Sequence, residues 1–146
     1  MIRGFYRETA GIRRPFITAR VSIPSQNISD DVHFLVDTGA DVSLLAPVDV
    51  VRLCIDLGRL PRMAPSAGIG GLAATASADA GLTLDSLGYD VRLRLLLPER
   101  RQQKVLSRIP SLLGRDILSH FALFMEDRSR RLILLDSDEA ASLRLP

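Results

Sequence analysis

Short apolar segments alternate with polar turns along most of the chain, a pattern that is typical of β-strands joined by tight connections. Residues 15–23 alternate between apolar and polar side chains. The turn-forming sequence at residues 24–27 then leads into a second apolar segment at residues 32–36, which we expect to pair with the first as a hairpin. A third short strand is predicted at residues 43–45.

The C-terminal half of the chain continues this pattern. Residues 82–84 and 89–95 alternate on either side of a turn, and the apolar segments 121–125 and 132–135 flank a polar turn. Another short strand is predicted at residues 112–113. Many short strands without a repeating strand-helix-strand order predict a mainly β fold.

Two short helices and two connectors complete the predicted elements. Pro47 suits the first turn of a helix that runs to about residue 54, and residues 115–121 are predicted to form the second helix. The prolines and glycine of residues 58–66 predict a connector. Residues 98–108 predict a polar, basic loop.

The predicted elements define a central domain with two ends. A length of 146 residues suits one domain, which we place at residues 15–135. Residues 1–14 are rich in Arg and lack clear periodicity, so we expect a loosely held N-terminal arm. Residues 136–146 form a polar tail for which the sequence predicts no structure.

Composition and charge exclude several functions. Hydrophobic residues make up 47% of the chain and the net charge is +2, but no apolar run is long enough to span a bilayer. The N-terminus lacks the apolar core of a secretory signal, so we expect a cytoplasmic protein. The Arg pairs are scattered and lack interleaved aromatic residues, so no nucleic-acid partner is expected. Cys54 lies in an apolar segment and is expected to be a buried thiol.

Candidate chemistry is concentrated in residues 33–45, His-Phe-Leu-Val-Asp-Thr-Gly-Ala-Asp-Val-Ser-Leu-Leu, where two apolar runs flank a single Asp-Thr-Gly. The run before Asp37 predicts a strand, and the residues that follow predict a loop. A carboxylate at such a junction is accessible to a substrate. The tripeptide alone is weak evidence of function, because three common residues also recur by chance.

Two further elements accompany the Asp-Thr-Gly. Residues 109–118, Ile-Pro-Ser-Leu-Leu-Gly-Arg-Asp-Ile-Leu, have the apolar-apolar-Gly form expected beside such a loop. The glycines of residues 68–71, Gly-Ile-Gly-Gly, suit the mobile tip of a hairpin because glycine tolerates positive φ. They do not predict a phosphate-binding loop, since the chain has neither Gly-Lys-Ser/Thr nor Gly-x-Gly-x-x-Gly.

Together these motifs resemble the retropepsins, the single-domain aspartic proteases of retroviruses with cellular and bacterial relatives. The resemblance covers residues 15–135. It implies a mainly β, partly open acid-protease half-barrel with one or two short helices and a glycine-rich flap hairpin that closes over a peptide substrate. The implied substrate-binding residues of the flap tip are Gly68, Ile69, Gly70 and Gly71.

The resemblance implies an aspartic endopeptidase in which Asp37, Thr38 and Gly39 are the catalytic residues. Hydrolysis without a metal or covalent nucleophile needs one carboxylate to accept a proton from water and one carboxylic acid to protonate the leaving nitrogen. Two neighbouring carboxylates that share a proton meet this need, as in the aspartic protease dyad. Because the chain has one Asp-Thr-Gly, a homodimer must supply the second Asp37 across a twofold axis. No cofactor is implied.

The resemblance also implies roles for five residues around this loop. Ala40 and Asp41 would contact the substrate, and Asp41 would also form an ion pair with Arg115. Gly114 and Leu113 would support the loop structurally. Pepsins usually carry Ser or Thr at the position of Ala40, where a hydroxyl stabilises the charged carboxylate, so we expect activity at milder acidity than in pepsins.

Three other functions fit the sequence less well. His33 and His120 lie in no metal-binding motif, so no metal site is expected. The chain lacks the Gly-x-Ser-x-Gly of serine hydrolases. The remaining alternative is a catalytically silent retropepsin-fold module that dimerises or binds peptides. The intact Asp-Thr-Gly argues against it, because a binding module does not need like charges at its axis.

Overall fold

A computed structural model describes residues 1–68, 71–98 and 109–143, and strands dominate these ranges. The strands within them are β1 (Ile2–Arg3), β2 (Phe5–Thr9), β3 (Ile12–Ile23), β4 (Ile28–Val36), β5 (Leu44–Leu45), β6 (Arg62–Gly68), β7 (Gly71–Leu84), β8 (Leu87–Leu96), β9 (Ser111–Leu113), β10 (Ala122–Glu126) and β11 (Arg131–Leu135). The α-helices are α1 (Pro47–Arg52), α2 (Arg115–Leu118) and α3 (Ser137–Ala141). None of these helices is long and apolar enough to cross a membrane.

Eight strands form one sheet in the order β2-β3-β4-β9-β5-β8-β7-β6, and an additional pairing of β3 with β7 curls this sheet into a partly open barrel. A smaller sheet has the order β1-β11-β10. The prediction of a mainly β fold is therefore confirmed. The predicted hairpin of residues 15–23 and 32–36 is present as β3 and β4, in which Ile17 is paired with Phe34.

The core lies inside the curled sheet and follows from the period of two along its strands. In β3, Ile17, Ala19 and Val21 are buried, while Thr18 and Arg20 between them are exposed. The largest fully buried side chains come from strands of both sheets and from α2: Phe34, Ile17, Ile23, Leu45, Leu82, Leu84, Leu93, Leu95, Leu113, Ile117, Leu132 and Leu134. One apolar cluster thus holds together the elements that carry the Asp-Thr-Gly.

The helices begin where the sequence predicts but are shorter. Pro47 starts α1 as its first helical residue, and α2 starts at Arg115. The predicted ends at residues 54 and 121 are too late, since α1 ends at Arg52 and α2 at Leu118. The polar tail, for which no structure was expected, contains α3. The start of this helix is held by reciprocal capping between Asp136 and Glu139.

The N-terminal segment is not the loosely held arm expected from its composition. Strand β1 pairs with β11, and β2 pairs with β3 through a turn in which Gly11 has φ of +77°. Ile2 is buried in the core cluster, which gives the charged segment a fixed position. Pairing to neighbouring strands and one buried side chain thus outweigh the lack of periodicity.

Two other expectations are wrong. Most of the predicted connector at residues 58–66 belongs to β6, which tolerates Pro65 because the pairing with β7 is irregular between Met63 and Ser66. Cys54 is exposed rather than buried, because it adopts a left-handed backbone with φ of +54° just after α1. The predicted loop at residues 98–108 lies almost wholly outside the described residues.

Candidate active site

The Asp-Thr-Gly lies in a loop that joins two strands on opposite sides of a third. Strand β9 lies between β4 and β5, parallel to β4 and antiparallel to β5. The chain leaves β4 at Val36, crosses the end of β9 and enters β5 at Leu44. Because both strands are hydrogen-bonded to β9, the two ends of this Asp37 loop, residues 37–43, are fixed in the sheet.

The backbone around Asp37 holds its carboxylate in one orientation. The amide of Asp37 donates to the carbonyl oxygen of Leu113 at 3.1 Å, and the amide of Ala40 donates to the carbonyl oxygen of Asp37 at 3.2 Å. The amide of Gly39 donates to Asp37 Oδ1 at 2.9 Å. Among the described residues no group donates to Oδ2. The half-exposed carboxylate thus has one oxygen held by the protein and one available for chemistry.

The residues after Asp37 leave the carboxylate open to approach. Thr38 and Gly39 are exposed, whereas Ala40 is half-buried. A Cβ atom added at Gly39 would lie 3.2 Å from Asp37 Oδ1, closer than most such contacts in proteins. Glycine at this position therefore keeps space beside the carboxylate into which another chain can move.

The Asp37 loop is attached to α2 through the backbone of both. The amide of Arg115 donates to the carbonyl oxygen of Ala40 at 2.8 Å, and the amide of Asp116 donates to that of Asp41 at 3.1 Å. The first amides of a helix lack partners inside the helix. Here the loop supplies those partners, so the position of α2 and the position of the loop depend on each other.

Ser43 and Asp116 strengthen this attachment from inside the protein. The hydroxyl and amide of Ser43 donate to the two carboxylate oxygens of Asp116 at 2.7 and 2.9 Å, and the amide of Gly114 donates to the Ser43 hydroxyl at 3.0 Å. Ser43 is fully buried. Neither residue was expected to have a role at the site. In the sequence, Ser43 is distinguished only as a polar residue within an apolar run, and Asp116 only as the last residue of Leu-Leu-Gly-Arg-Asp.

A second buried serine holds the other end of β9. Ser111 donates its hydroxyl to Asp49 in α1 at 2.6 Å and accepts from the amide of Ala46 at 2.9 Å. Ser111 is 1% exposed. Buried polar groups are tolerated when they are hydrogen-bonded, and this pair fixes the short strand against α1.

Gly114 is required by close packing rather than by backbone conformation. Its φ is −92°, which any residue can adopt. A Cβ atom here would lie 2.5 Å from the carbonyl carbon of Val42 and 2.9 Å from the amide nitrogen of Ser43. The glycine therefore lets the Asp37 loop lie directly on the start of α2.

The ion pair expected from the resemblance is present at the surface of the site. Arg115 donates from Nη2 to Asp41 Oδ1 at 2.9 Å. Both side chains are largely exposed, at 64% and 82%. Exposed pairs contribute little to folding stability, so this pair is not what holds the Asp37 loop in place.

The flap residues are only partly described. Gly68 pairs with Gly71 at the far end of the hairpin formed by β6 and β7, whereas Ile69 and Gly70 lie outside the described residues. The strands run from Arg62 to Gly68 and from Gly71 to Leu84. A long hairpin with glycines at its described end is therefore present, and no hydrogen bond between described residues joins it to the Asp37 loop.

Solved structures with a similar fold carry protease names. A retropepsin-like aspartic protease from Rickettsia conorii matches with a TM-score of 0.57 and 23% sequence identity, over 90% of this chain and 87% of that chain. The EIAV protease, solved in complex with the inhibitor HBY-793, matches with a TM-score of 0.53 and 23% identity, over 77% and 92% of the two chains. No protein-family model and no curated protein sequence matches. The chain thus has a retropepsin-like fold, as its motifs predicted.

Proposed function

We propose that this chain is an aspartic endopeptidase whose active form is a homodimer. The observation that carries the proposal is Asp37 itself, a half-exposed carboxylate with one oxygen oriented by the Gly39 amide, at the end of a strand in a retropepsin-like fold. Each chain provides one such group. The exposed Thr38 and Gly39 beside it offer a surface on which a second copy can bring its own Asp37 close.

In the proposed mechanism the two Asp37 side chains share one proton. The ionised carboxylate accepts a proton from a water molecule as that water attacks the carbonyl carbon of the scissile peptide bond. The protonated carboxyl of the partner donates its proton to the leaving nitrogen, and the C–N bond breaks. Two neighbouring carboxylates cannot easily both ionise, which keeps the pair in this mixed state.

The surroundings of Asp37 support this role because they restrain the carboxylate without neutralising it. The hydrogen bonds of Asp37 itself are all with backbone amides and carbonyls among the described residues, and the Arg115 guanidinium is paired with Asp41 instead of Asp37. An orientation held by preorganised groups does not have to be created during the reaction. Gly68, Ile69, Gly70 and Gly71 are proposed to close over the bound peptide, and Ala40 and Asp41 to contact it.

Incubation with a randomised peptide library tests the proposal. We expect cleavage products at acidic pH and their loss when a statine-type inhibitor, which mimics the tetrahedral transition state, is added. Peptide binding without cleavage at any pH would instead support the silent peptide-binding module.

Ala40 predicts the pH at which the enzyme works best. No side-chain hydroxyl is present at this position to stabilise the charged carboxylate, so the mixed protonation state should persist at milder acidity than in pepsin. A pH profile of kcat/KM measures this directly. The Ala40→Ser variant is expected to move the optimum to lower pH. A wild-type optimum below about pH 3, within the range of the pepsin dyad, would contradict the prediction.

A further inference from the structure

A concave surface lies on the same sheet as the candidate site. It is a pocket of about 510 Å³ formed by β2, β3, β4, α1 and the start of β9. We call it the basic pocket, after the cationic side chains Arg7, Arg14 and Arg52 in its lining, which also includes Phe16 and Pro110. Its charge and position together indicate what it binds.

Arg7 and Arg14 face each other across the hairpin of β2 and β3, where they are direct register partners. Like charges at such positions repel, so the arrangement is unfavourable unless an anion lies between them. The guanidinium of Arg7 lies 5.7 and 5.6 Å from the ring centres of Phe5 and Phe16, which restricts its motion. Within the described ranges neither Arg forms an ion pair with an acid.

The acidic residues of the basic pocket already have partners. Asp31 accepts from Arg20 at 3.0 Å. Asp49 forms an ion pair with Arg52 at 3.1 Å and accepts from the Ser111 hydroxyl through its other oxygen at 2.6 Å. The positive charge of Arg7 and Arg14 is therefore left without a counter-ion from the described lining, which suits a carboxylate from another molecule.

The basic pocket lies along the strands that lead to Asp37. In β4 the exposed residues Asp31 and His33 alternate with the buried Val32 and Phe34, so the pocket is on the outer face of that strand. By the register of β3 with β4, Arg14 is level with Asp37 in the neighbouring strand, and Arg7 lies one strand further away. Neighbouring strands lie about 5 Å apart, so these two Arg residues are about 5 and 10 Å from the line of β4. A peptide bound in extended form covers such a distance with about two or three residues.

We propose that the basic pocket binds an acidic side chain of the peptide substrate, about two to four residues from the cleaved bond. This inference rests on the proposed function and specifies its substrate class. A twofold dimer contains the basic pocket twice, so the preference should appear on both sides of the cleaved bond. The carboxylate would lie between Arg7 and Arg14 and relieve their repulsion.

Sequencing the products of a randomised peptide library measures the preference. At pH about 5.5, where Glu is ionised, we expect Glu or Asp to be enriched about fivefold over Gln or Asn at these outer positions. The double variant Arg7→Gln/Arg14→Gln should abolish the enrichment but still cleave. Arg13→Gln is the matched control. Arg13 is next to Arg14 in β3 but on the opposite face of the strand, and its register partner is Glu8, so this variant should retain the enrichment. Enrichment that persists in the double variant would overturn the inference.

Binding to the Asp37→Asn variant tests the basic pocket independently of catalysis. A dye-labelled decapeptide with Glu at its third position from each end, and a twin with Gln at both, are titrated and followed by fluorescence anisotropy. We expect about fivefold tighter binding of the Glu peptide at low salt, with the difference reduced in 0.5 M salt, where exposed charges are screened over about 4 Å. Equal affinities would overturn the inference even if cleavage is observed. Selective binding without cleavage by the wild type would overturn only the endopeptidase proposal.

Discussion

The Asp37→Asn variant is expected to lose at least about 10³-fold in kcat/KM while remaining folded and dimeric. An amide does not accept a proton from water as a carboxylate does, and it has no acidic proton to give to the leaving nitrogen. The amide oxygen can still accept from the Gly39 amide, so the Asp37 loop should keep its conformation. The free energy of unfolding should change by less than about 1 kcal/mol.

The control for this variant is Asp85→Asn, which makes the same chemical change in the exposed turn between β7 and β8. Asp85 has φ of +57°, a conformation that Asn tolerates, so the control should fold and cleave like the wild type. Cleavage kinetics on one peptide and light scattering for molar mass separate loss of chemistry from loss of assembly. Undiminished cleavage by Asp37→Asn would exclude the aspartic protease mechanism.

Gly114→Ala is expected to lower the free energy of unfolding by about 2–3 kcal/mol and to remove most activity. The added methyl group would meet the backbone of Val42 and Ser43, which has no flexible side chain to move aside. Relief requires the Asp37 loop to move away from α2. That movement lengthens the hydrogen bonds from Gly114 and Arg115, and it displaces the carboxylate. Urea unfolding and peptide cleavage measure the two effects.

Gly88→Ala provides the matched control for this change. Gly88 lies in β8, and the nearest atom to an added Cβ is the Thr83 hydroxyl oxygen at 3.8 Å, an ordinary contact. This variant should be as stable as the wild type or more stable by up to about 1 kcal/mol, because Ala restricts the unfolded chain. Similar losses in both glycine variants would show that close packing at Gly114 is not the cause.

The fold could be predicted from the sequence where local pattern and motif agree. Alternating apolar and polar residues predicted β3, an apolar run predicted β4, and Pro47 predicted the start of α1. The Leu-Leu-Gly-Arg-Asp motif was expected beside the Asp-Thr-Gly loop. The strands that carry the two motifs are neighbours, because β9 is paired with β4. These features depend on residues that are close in sequence or on a motif pair with a known arrangement.

The features that escaped prediction depend on contacts between distant residues. Strand β1 is formed because it pairs with β11, more than 120 residues later, and no local pattern reveals that partner. Ser43 contributes to the site only through Asp116, and a serine in an apolar run has no distinctive sequence signal. Cys54 is exposed because Cys54 itself adopts a left-handed backbone just after α1. The hydrophobicity of the segment does not reveal that conformation.

The pairing of two Asp37 side chains is the central claim, and mixing subunits tests it most directly. Wild-type protein is unfolded and refolded together with a ninefold excess of tagged Asp37→Asn protein. Cleavage is then measured per wild-type subunit. Capture of wild-type subunits through the tag verifies that mixed dimers have formed. If each active site needs two Asp37 carboxylates, random pairing leaves about one-tenth of the activity per wild-type subunit. The same excess of Asp85→Asn should leave it unchanged. Full activity per wild-type subunit in verified mixtures with Asp37→Asn would contradict the shared dyad.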